Sequence, residues 1–419
     1  MVGDGALALE PNDPYYVEIL EKAPEKDPIL QLMTRIDWAD SESINLLTGF
    51  RGNGKSTALR RLKGLLEAAG CQVILVDMLK YVLMTKPLET SDFILSLMVA
   101  LSEEVQAQTG LDFIHESYWT TLANFLQSEV KVDLKAEWKS MPATLALKLK
   151  SEPSFKQELQ TALRGHLGAL IENARNYVKA LVDGIRKETQ DPNKKVVLLV
   201  DSLEQLRGIG VESTEIHNSV ASVFCAQADK LRFRMLHVVY TVPPYLITLA
   251  PNIARSLGEN SVIRWPNIHV RNKQGEPDDD GLSVMTDIIK QRYADWQSIL
   301  TPAQLKRLAM VSGGDLRDFF RLIKDALVST SHRPEPNTPI TDDTLTQVEG
   351  QLRSELLPIP KDDAQWLAEV HQSKSEQLGS ITEVARLMRF LDGNLIMNYL
   401  NGEPWCDIHP LLIKEILNA

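Results

Sequence analysis

The sequence predicts an α/β protein in which a parallel sheet is covered by helices. Strand candidates alternate with helical segments along the chain, at residues 44–48, 73–76, 196–200, 235–240 and 261–265. The segment 196–200 is an uninterrupted apolar run, which is typical of a strand buried on both faces. Because alternating strands and helices form parallel sheets with helical crossovers, this order along the chain indicates the fold class.

The composition is that of an ordinary globular protein and excludes several other classes. The chain has 419 residues, of which 44% are hydrophobic and 24% charged, enough for about two to four domains. Three cysteines are too few for a disulfide framework, so we expect a reducing, cytoplasmic setting. The apolar runs are too short to span a bilayer, and no membrane association is expected. A net charge of −11 argues against coating nucleic acid by charge alone.

Four segments differ in composition and predicted structure. Residues 1–26 are rich in proline and acidic residues and predict an arm, whereas 27–270 hold the alternating core. Within the core, residues 110–195 read as a helical insertion that ends in one long helix at 154–189. Residues 271–339 predict helices only. Residues 340–419 predict three helices followed by a hairpin at Asn401-Gly402, which is the order of a winged-helix domain.

The charge is distributed unevenly along the chain. Residues 340–419 contain 13 acidic and 6 basic residues, whereas 109–195 contain 11 acidic and 13 basic ones. If one segment contacts an anionic polymer, the insertion is therefore the better candidate. Solvated helix faces explain both distributions equally well, and that interpretation stays open.

Residues 49–56, Gly-Phe-Arg-Gly-Asn-Gly-Lys-Ser, match the P-loop pattern between a predicted strand and a predicted helix. Glycines let successive N–H groups point at phosphate oxygens, and the N-terminus of the following helix adds positive potential. Lys55 is expected to reach the β- and γ-phosphates of ATP, and the Ser56 hydroxyl to hold Mg²⁺. The predicted nucleotide-binding residues are Gly49, Arg51, Gly52, Asn53, Gly54, Lys55, Ser56 and Thr57.

A second acidic motif follows the buried strand at 196–200. Asp201 comes at the carboxyl end of that strand, where it is expected to hold Mg²⁺. Glu204 is expected to polarise the attacking water as a catalytic base, although the same spacing also fits a helix cap. Thr241 follows the next strand, and its hydroxyl is expected to orient the water or contact the γ-phosphate.

Over residues 27–330 the chain resembles the AAA+ ATPases. Residues 49–56 resemble the Walker A motif, 196–204 resemble Walker B with its catalytic acid, and Thr241 falls at the position of sensor 1. Gly314-Asp-Leu-Arg317 resembles sensor 2 of the helical lid, which assigns residues 271–339 to that lid and implies that Arg317 contacts the γ-phosphate. The resemblance also implies a homo-oligomer with ATP sites at subunit interfaces. Arg255 is then a candidate arginine finger, with Arg232 and Arg234 as alternatives.

An ATPase core followed by a winged helix resembles the initiator clade and the STAND ATPases. The long insertion and the acidic winged helix depart from that pattern, since the helix at 381–391 offers Arg386 and Arg389 against Glu383 and Asp392. The segments Ser-Gly-Gly-Asp-Leu-Arg at 312–317 and Trp-Pro-Asn-Ile at 265–268 make the chain similar to ATPases of bacterial anti-phage defence operons.

The resulting prediction is an oligomeric AAA+ ATPase that controls a partner effector, such as a nuclease or another toxin, in anti-phage defence. A protein partner is expected to dock on hairpin residues such as Tyr399 and Trp405, provided that these are exposed. One alternative is a DNA-binding initiator or transposition regulator that uses the insertion at 110–195. Another is a nucleotide-gated scaffold with negligible turnover.

Overall fold

The central feature of the computed structural model is a five-stranded sheet. The structure describes residues 8–20, 27–109, 112–128, 141–208, 213–257, 262–331, 339–376, 383–400 and 403–417. The strands of this sheet are β1 (Ser43–Thr48), β2 (Gln72–Asp77), β3 (Val196–Asp201), β4 (Leu236–Val242) and β5 (Val262–Arg264). Their spatial order is β2-β3-β4-β1-β5, and the pairs β2–β3, β3–β4 and β4–β1 are parallel. The predicted fold class is confirmed.

Helices account for most of the remaining described chain. From the N-terminus they are α1 (Pro28–Trp38), α2 (Lys55–Ala68), α3 (Thr90–Thr109), α4 (Asp112–Ser128), α5 (Met141–Ser151), α6 (Pro153–Leu163), α7 (Leu167–Glu188), α8 (Ser213–Ala221), α9 (Tyr245–Leu249) and α10 (Ile253–Ser256). They continue with α11 (Asp279–Arg292), α12 (Pro302–Val311), α13 (Leu316–Ser331), α14 (Asp342–Glu355), α15 (Lys361–Ser373), α16 (Val384–Asp392) and α17 (Ile413–Leu417). Among the described residues, no helix combines the length and apolarity needed to cross a membrane.

Strands β1, β3 and β4 are the most deeply buried part of the sheet. Every residue of these three strands is buried, as the uninterrupted apolar sequence of β3 predicts for that strand. The chain leaves β1 for the far edge at β2, then returns through β3 and β4 and passes β1 to reach β5. The winding direction therefore reverses around β1, and ligands of open α/β sheets bind at the carboxyl ends of strands near such reversals.

The chain divides into two compact units. One comprises Pro28–Thr48 and Arg61–Ile263, which contain the sheet and the insertion helices. The other comprises Met1–Asp27, Gly49–Arg60 and Arg264–Ala419. The predicted domain limits at 26, 270 and 339 stay predictions.

The insertion is helical, as predicted, but its last part is not one helix. The expected helix at 154–189 is wrong, because α6 ends at Leu163 and α7 begins at Leu167. The break contains Gly165, and glycine costs about 1 kcal/mol relative to alanine inside a helix. A buried hydrogen bond joins α4 of the insertion to α3, since Ser102 of α3 accepts from the Trp119 indole at 2.9 Å.

In the second unit, helices α11–α14 share one apolar cluster. Leu345, Val348 and Leu352 of α14 belong to the same buried cluster as Met285 of α11 and Phe319 of α13. The order of α14, α15 and α16 followed by the antiparallel strands β6 (Ile396–Tyr399) and β7 (Trp405–Ile408) is the one predicted from the sequence. The turn residues Asn401 and Gly402 lie outside the described residues.

The expected docking surface on the hairpin is wrong. Tyr399 is 1% exposed and Trp405 is 6% exposed, so neither ring is available to a partner. The two rings stack on each other with centroids 4.3 Å apart, and Met397 completes their cluster. The apolar hairpin residues therefore stabilise the unit itself.

Candidate functional site

The P-loop motif forms a tight turn between β1 and α2. Its backbone is left-handed at Gly52 (φ +84°) and Gly54 (φ +91°), where a side chain would be strained. Left-handed residues that alternate with ordinary ones turn successive N–H groups towards a common point, which is how backbone nests bind anions. Helix α2 begins immediately afterwards at Lys55, so its N-terminal dipole acts at the same place.

Lys55 is held by the loop itself. The residue is 3% exposed, and its ammonium group donates to the Phe50 carbonyl and to Oδ1 of Asn53, the latter at 3.3 Å. Ser56 is half-buried in the first turn of α2. The Thr57 hydroxyl accepts a hydrogen bond from the Leu9 N–H at 3.1 Å, which ties the N-terminal arm to α2.

Trp265 holds the P-loop in place through hydrogen bonds. The sequence motifs did not predict this role. The Trp265 indole N–H donates to the Asn53 carbonyl at 2.8 Å, and the Asn53 amide donates back to the Trp265 carbonyl at 3.1 Å. Both residues are buried, so this reciprocal pair of bonds holds the loop without contribution from solvent. In the sequence, Trp265 stands out only as part of the segment 265–268, whose resemblance to other ATPases does not indicate a contact with the P-loop.

The structure brings Arg317 to the P-loop. Arg317 is the second residue of α13, and a Cβ atom at Gly52 would lie 2.6 Å from the Cβ of Arg317 and 3.0 Å from its Nε. Glycine at position 52 is therefore required by this close approach as well as by its φ angle. A cation on α13 thus lies against the predicted phosphate-binding turn, and its contact with the γ-phosphate stays a prediction.

Asp315 adds an unusual carboxyl group beside that cation. It is fully buried at the start of α13, where one of its oxygens accepts a hydrogen bond from the Asp318 N–H at 3.0 Å. Burial, together with the nearby Asp318 carboxylate, raises the pKa of Asp315 to about 7. Near neutral pH this carboxyl is partly protonated, which reduces the negative charge close to Arg317.

In the sheet unit, Asp201 ends β3 in a strained turn. The carboxylate of Asp201 accepts a hydrogen bond from the Ser202 N–H at 2.7 Å, and Ser202 has a left-handed backbone (φ +74°). Left-handed non-glycine residues cost about 1–3 kcal/mol and cluster at functional sites. The turn delivers the chain into a short 3₁₀ helix, Leu203–Gln205, that carries Glu204.

Thr241 supports this turn from the neighbouring strand. Its hydroxyl accepts a hydrogen bond from the Leu203 N–H at 3.0 Å, and the residue is fully buried. Glu204 is 7% exposed, and Ser202, which caps the 3₁₀ helix, makes no side-chain capping bond. The interpretation of Asp201 and Glu204 as a helix cap stays open beside the catalytic one. Thr241 fixes the backbone between Asp201 and Glu204.

A second carboxylate lies in register with Asp201. Asp77 ends β2, and its Cα is the direct partner of the Asp201 Cα in the parallel ladder. Side chains at paired positions point to the same face of a sheet, so the two carboxylates lie on one face at the carboxyl ends of their strands. The sequence carried a signal for Asp77, since it follows an apolar strand in the same way as Asp201.

The candidate arginine fingers differ in their surroundings. Arg255 is exposed in the four-residue helix α10, and Arg234 is exposed as well. Arg232 instead donates to the Leu257 carbonyl at 2.5 Å and lies 3.9 Å from the Glu42 carboxylate. The Arg232 side chain therefore already has partners within its own chain. Arg255 and Arg234 are the better candidates for the predicted contact with another subunit.

The P-loop side of the site fits a nucleotide. Besides the nest and Lys55, the amide of Asn267 is 1% exposed, and both its nitrogen and its oxygen lack hydrogen-bond partners within the described part of the chain. An unpaired buried amide costs about 1–3 kcal/mol per polar atom. It lies two residues from Trp265, and its donor and acceptor match those of a purine edge. Ser56 and Asp201 each carry an oxygen donor of the kind that Mg²⁺ prefers, and their roles as its ligands stay predictions.

Comparisons with known proteins yield only distant structural similarities. No protein-family profile matches the chain, and no curated protein matches it either. Among solved structures, the chain is similar to the ORC2 protein of Aeropyrum pernix (11% identity, TM-score 0.42, covering 98% of this chain and 96% of that one). It is also similar to a Walker-type ATPase of Pyrococcus abyssi (13%, TM-score 0.42, 97% and 100%) and to the Thermotoga maritima RuvB branch migration motor (12%, TM-score 0.36, 95% and 86%). Similarities at this level do not establish a functional relationship.

Proposed function

We propose that the protein is an AAA+ ATPase that binds ATP with Mg²⁺ at the P-loop and hydrolyses it. The observation that carries the proposal is the P-loop geometry: left-handed Gly52 and Gly54 lead into α2 at Lys55, with Arg317 against Gly52. Four features that suit phosphate thus meet at one turn, namely the N–H groups of the loop, a helix N-terminus, the Lys55 ammonium and the Arg317 guanidinium from α13.

Asp201 and Glu204 are the residues that the proposed hydrolysis requires. Asp201 ends β3 and the P-loop follows β1 in the chain, and β3, β4 and β1 are neighbouring parallel strands. Mg²⁺, when bound, neutralises phosphate charge during transfer. Ser56 and Asp201 are the residues that would hold the metal, and Glu204 would accept a proton from the attacking water. Thr241 keeps Glu204 in place through the Leu203 N–H.

The finer proposal is an oligomer that controls an effector protein in bacterial anti-phage defence. Its support is the exposure of Arg255, which leaves that residue accessible to a neighbouring subunit, and the acidic C-terminal segment. The defence setting is supported by the sequence resemblance at 265–268 and 312–317. This proposal requires a partner effector, such as a nuclease or another toxin.

The alternative is a DNA-binding initiator, and the contacts of α16 argue against the winged helix as its reader. Arg386 Nε lies 3.2 Å from Oδ1 of Asp363, and Arg389 Nη2 lies 3.0 Å from Oδ2 of the same carboxylate. Asp363 is 5% exposed, so removing its cations would leave a buried charge unpaired. Both arginines that could face a phosphate backbone are already paired with one buried carboxylate within the unit.

We expect Arg386→Gln combined with Arg389→Gln to leave the affinity of the full chain for duplex DNA unchanged within about twofold. Phosphate contacts dominate such affinity, and these two side chains bind Asp363 instead. The measurement is a fluorescence anisotropy titration at two salt concentrations. The matched variant changes two exposed basic residues of the insertion, Arg164→Gln with Lys187→Gln. A tenfold loss with a weaker salt dependence in the α16 variant would favour the initiator.

The direct test of the proposed function uses the wild-type chain. Calorimetric titration with ATP and Mg²⁺ should show saturable binding, and phosphate should be released on incubation. Removing Mg²⁺ with a chelator should stop phosphate release, because Ser56 and Asp201 then hold no metal. The absence of both binding and turnover would refute the proposal, whereas binding without turnover would favour the nucleotide-gated scaffold.

A further inference from the structure

A turn of two glycines sets the start of the helix that carries Arg317. Gly313 (φ +61°) and Gly314 (φ +80°) are both left-handed and both buried, and α13 begins two residues later at Leu316. Arg317 is the next residue. Since a helix is stiff over its first turns, the position of Arg317 relative to Gly52 depends on the conformation of this turn.

The hairpin holds one side of this turn through Tyr399. The Tyr399 hydroxyl donates to the Gly313 carbonyl at 2.9 Å, and a Cβ at Gly313 would lie 2.9 Å from that hydroxyl. The phenol is itself fixed, because its ring stacks on Trp405 and the Arg271 guanidinium lies 5.7 Å from its centroid. Tyr399 therefore acts as a rigid support against the turn.

The segment after β5 holds the opposite side. The Ile268 N–H donates to the Gly314 carbonyl at 3.3 Å, and a Cβ at Gly314 would lie 1.8 Å from the Ile268 carbonyl oxygen. The turn is thus clamped between Ile268 and Tyr399. Only glycine fits at both positions, so the clamp allows little adjustment.

Further polar contacts join α13 to the C-terminal segment. Asn394 donates to Asp315 at 3.4 Å, and Nε2 of the fully buried His409 lies 3.1 Å from Oδ2 of Asp318. Behind the hairpin, Asp407 lies 3.4 Å from Arg271 and 2.8 Å from Lys374 of the α15 C-terminus. The hairpin is therefore anchored on both sides of Tyr399.

From these contacts we propose that Tyr399 is a positioning residue, which sets Arg317 against the P-loop by holding the Gly313 carbonyl. The inference rests on the proposed ATPase function and deepens it, because it makes the C-terminal hairpin part of the response to the γ-phosphate. Arg317 discriminates ATP from ADP, since only ATP carries the group that its guanidinium contacts. Tyr399 controls that discrimination without touching the nucleotide.

The test is the ratio of the dissociation constants for ADP and ATP, measured by calorimetry with Mg²⁺ in the full chain. Tyr399→Phe keeps the stacked ring and removes the hydroxyl, so the preference for ATP should fall about fivefold, which is the size expected for one hydrogen bond. The affinity for ADP should stay within about twofold of wild type. Tyr240→Phe is the matched control, because the buried Tyr240 hydroxyl also donates to a carbonyl, that of Leu231 at 3.1 Å. The preference of this control for ATP should equal that of wild type.

A double variant separates positioning from a general loss of stability. Arg317→Ala should lower the preference for ATP, and adding Tyr399→Phe should lower it no further, because the hydroxyl acts through Arg317. Equal losses of ADP and ATP affinity in Tyr399→Phe, or additive losses in the double variant, would overturn the positioning role. A wild-type preference in Tyr399→Phe would overturn it as well. Wild-type protein that binds neither nucleotide would instead overturn the proposed ATPase function, and this inference with it.

Discussion

Lys55→Ala is expected to abolish measurable ATP binding. Lys55 is 3% exposed, and the bonds of its ammonium group to Phe50 and Asn53 place that group among the loop atoms that would surround the phosphates. A methyl group supplies neither the charge nor the hydrogen bonds, and charge-assisted hydrogen bonds contribute about 1.5–3 kcal/mol each. Two such bonds to phosphate oxygens correspond to a loss of at least about 100-fold in affinity. Calorimetric titration with ATP and Mg²⁺ measures it.

The control for this variant is Lys150→Ala. The Lys150 ammonium also donates to a backbone carbonyl, that of Leu79 at 2.8 Å, but it lies in the helical insertion. It should bind ATP as tightly as wild type. Unchanged ATP affinity in a folded Lys55→Ala protein would show that residues 49–56 are a glycine-rich turn without a ligand.

The parts of the site that the sequence predicts are those made by neighbouring residues. Residues 49–56 need only their own glycines and the first turn of α2 to form a nest, and the apolar run before Asp201 needs only burial to become β3. Both predictions depend on local backbone preference and on hydrophobic pattern. The strand candidates and the order of the C-terminal helices follow from the same information.

The parts that the sequence does not predict are contacts between residues far apart in the chain. The bonds between Asn53 and Trp265 and between Gly313 and Tyr399 join segments separated by 212 and 86 positions. Periodicity contains no information about which buried side chain meets which carbonyl. For the same reason the sequence left Tyr399 as a candidate docking residue, although its hydroxyl is committed to the Gly313 carbonyl.

The net charge of a segment was informative about its surface, but the pattern of single charges did not assign a role to each side chain. The acidic balance of residues 340–419 predicts a poor surface for DNA, yet the sequence of α16 offers two arginines to a phosphate backbone. Their pairing with Asp363 is a tertiary contact, and it gives both side chains a structural role within the unit. A buried carboxylate with two cations is a structural element of the unit, which is why counting charges on one helix could not assign their role.

Glu204→Gln is expected to bind ATP normally and to hydrolyse it about 10²–10⁴-fold more slowly. The amide has nearly the shape of the carboxylate, so the turn between Asp201 and the Thr241-bound Leu203 N–H is retained. It cannot accept a proton from water, and turnover falls while the P-loop contacts remain. The measurements are phosphate release at saturating ATP and the dissociation constant of ATP in the same preparation.

The matched control is Glu215→Gln, an exposed glutamate in the first turn of α8, which should keep the wild-type rate. Hydrolysis by Glu204→Gln at the wild-type rate would remove Glu204 as the base. The carboxylate of Asp77, in register with Asp201, would then be the next candidate. Loss of turnover together with loss of ATP binding would show instead that Glu204 supports the fold of the site. A slow variant that still binds ATP therefore separates the catalytic role from the structural one, because only proton transfer requires the carboxylate rather than its shape.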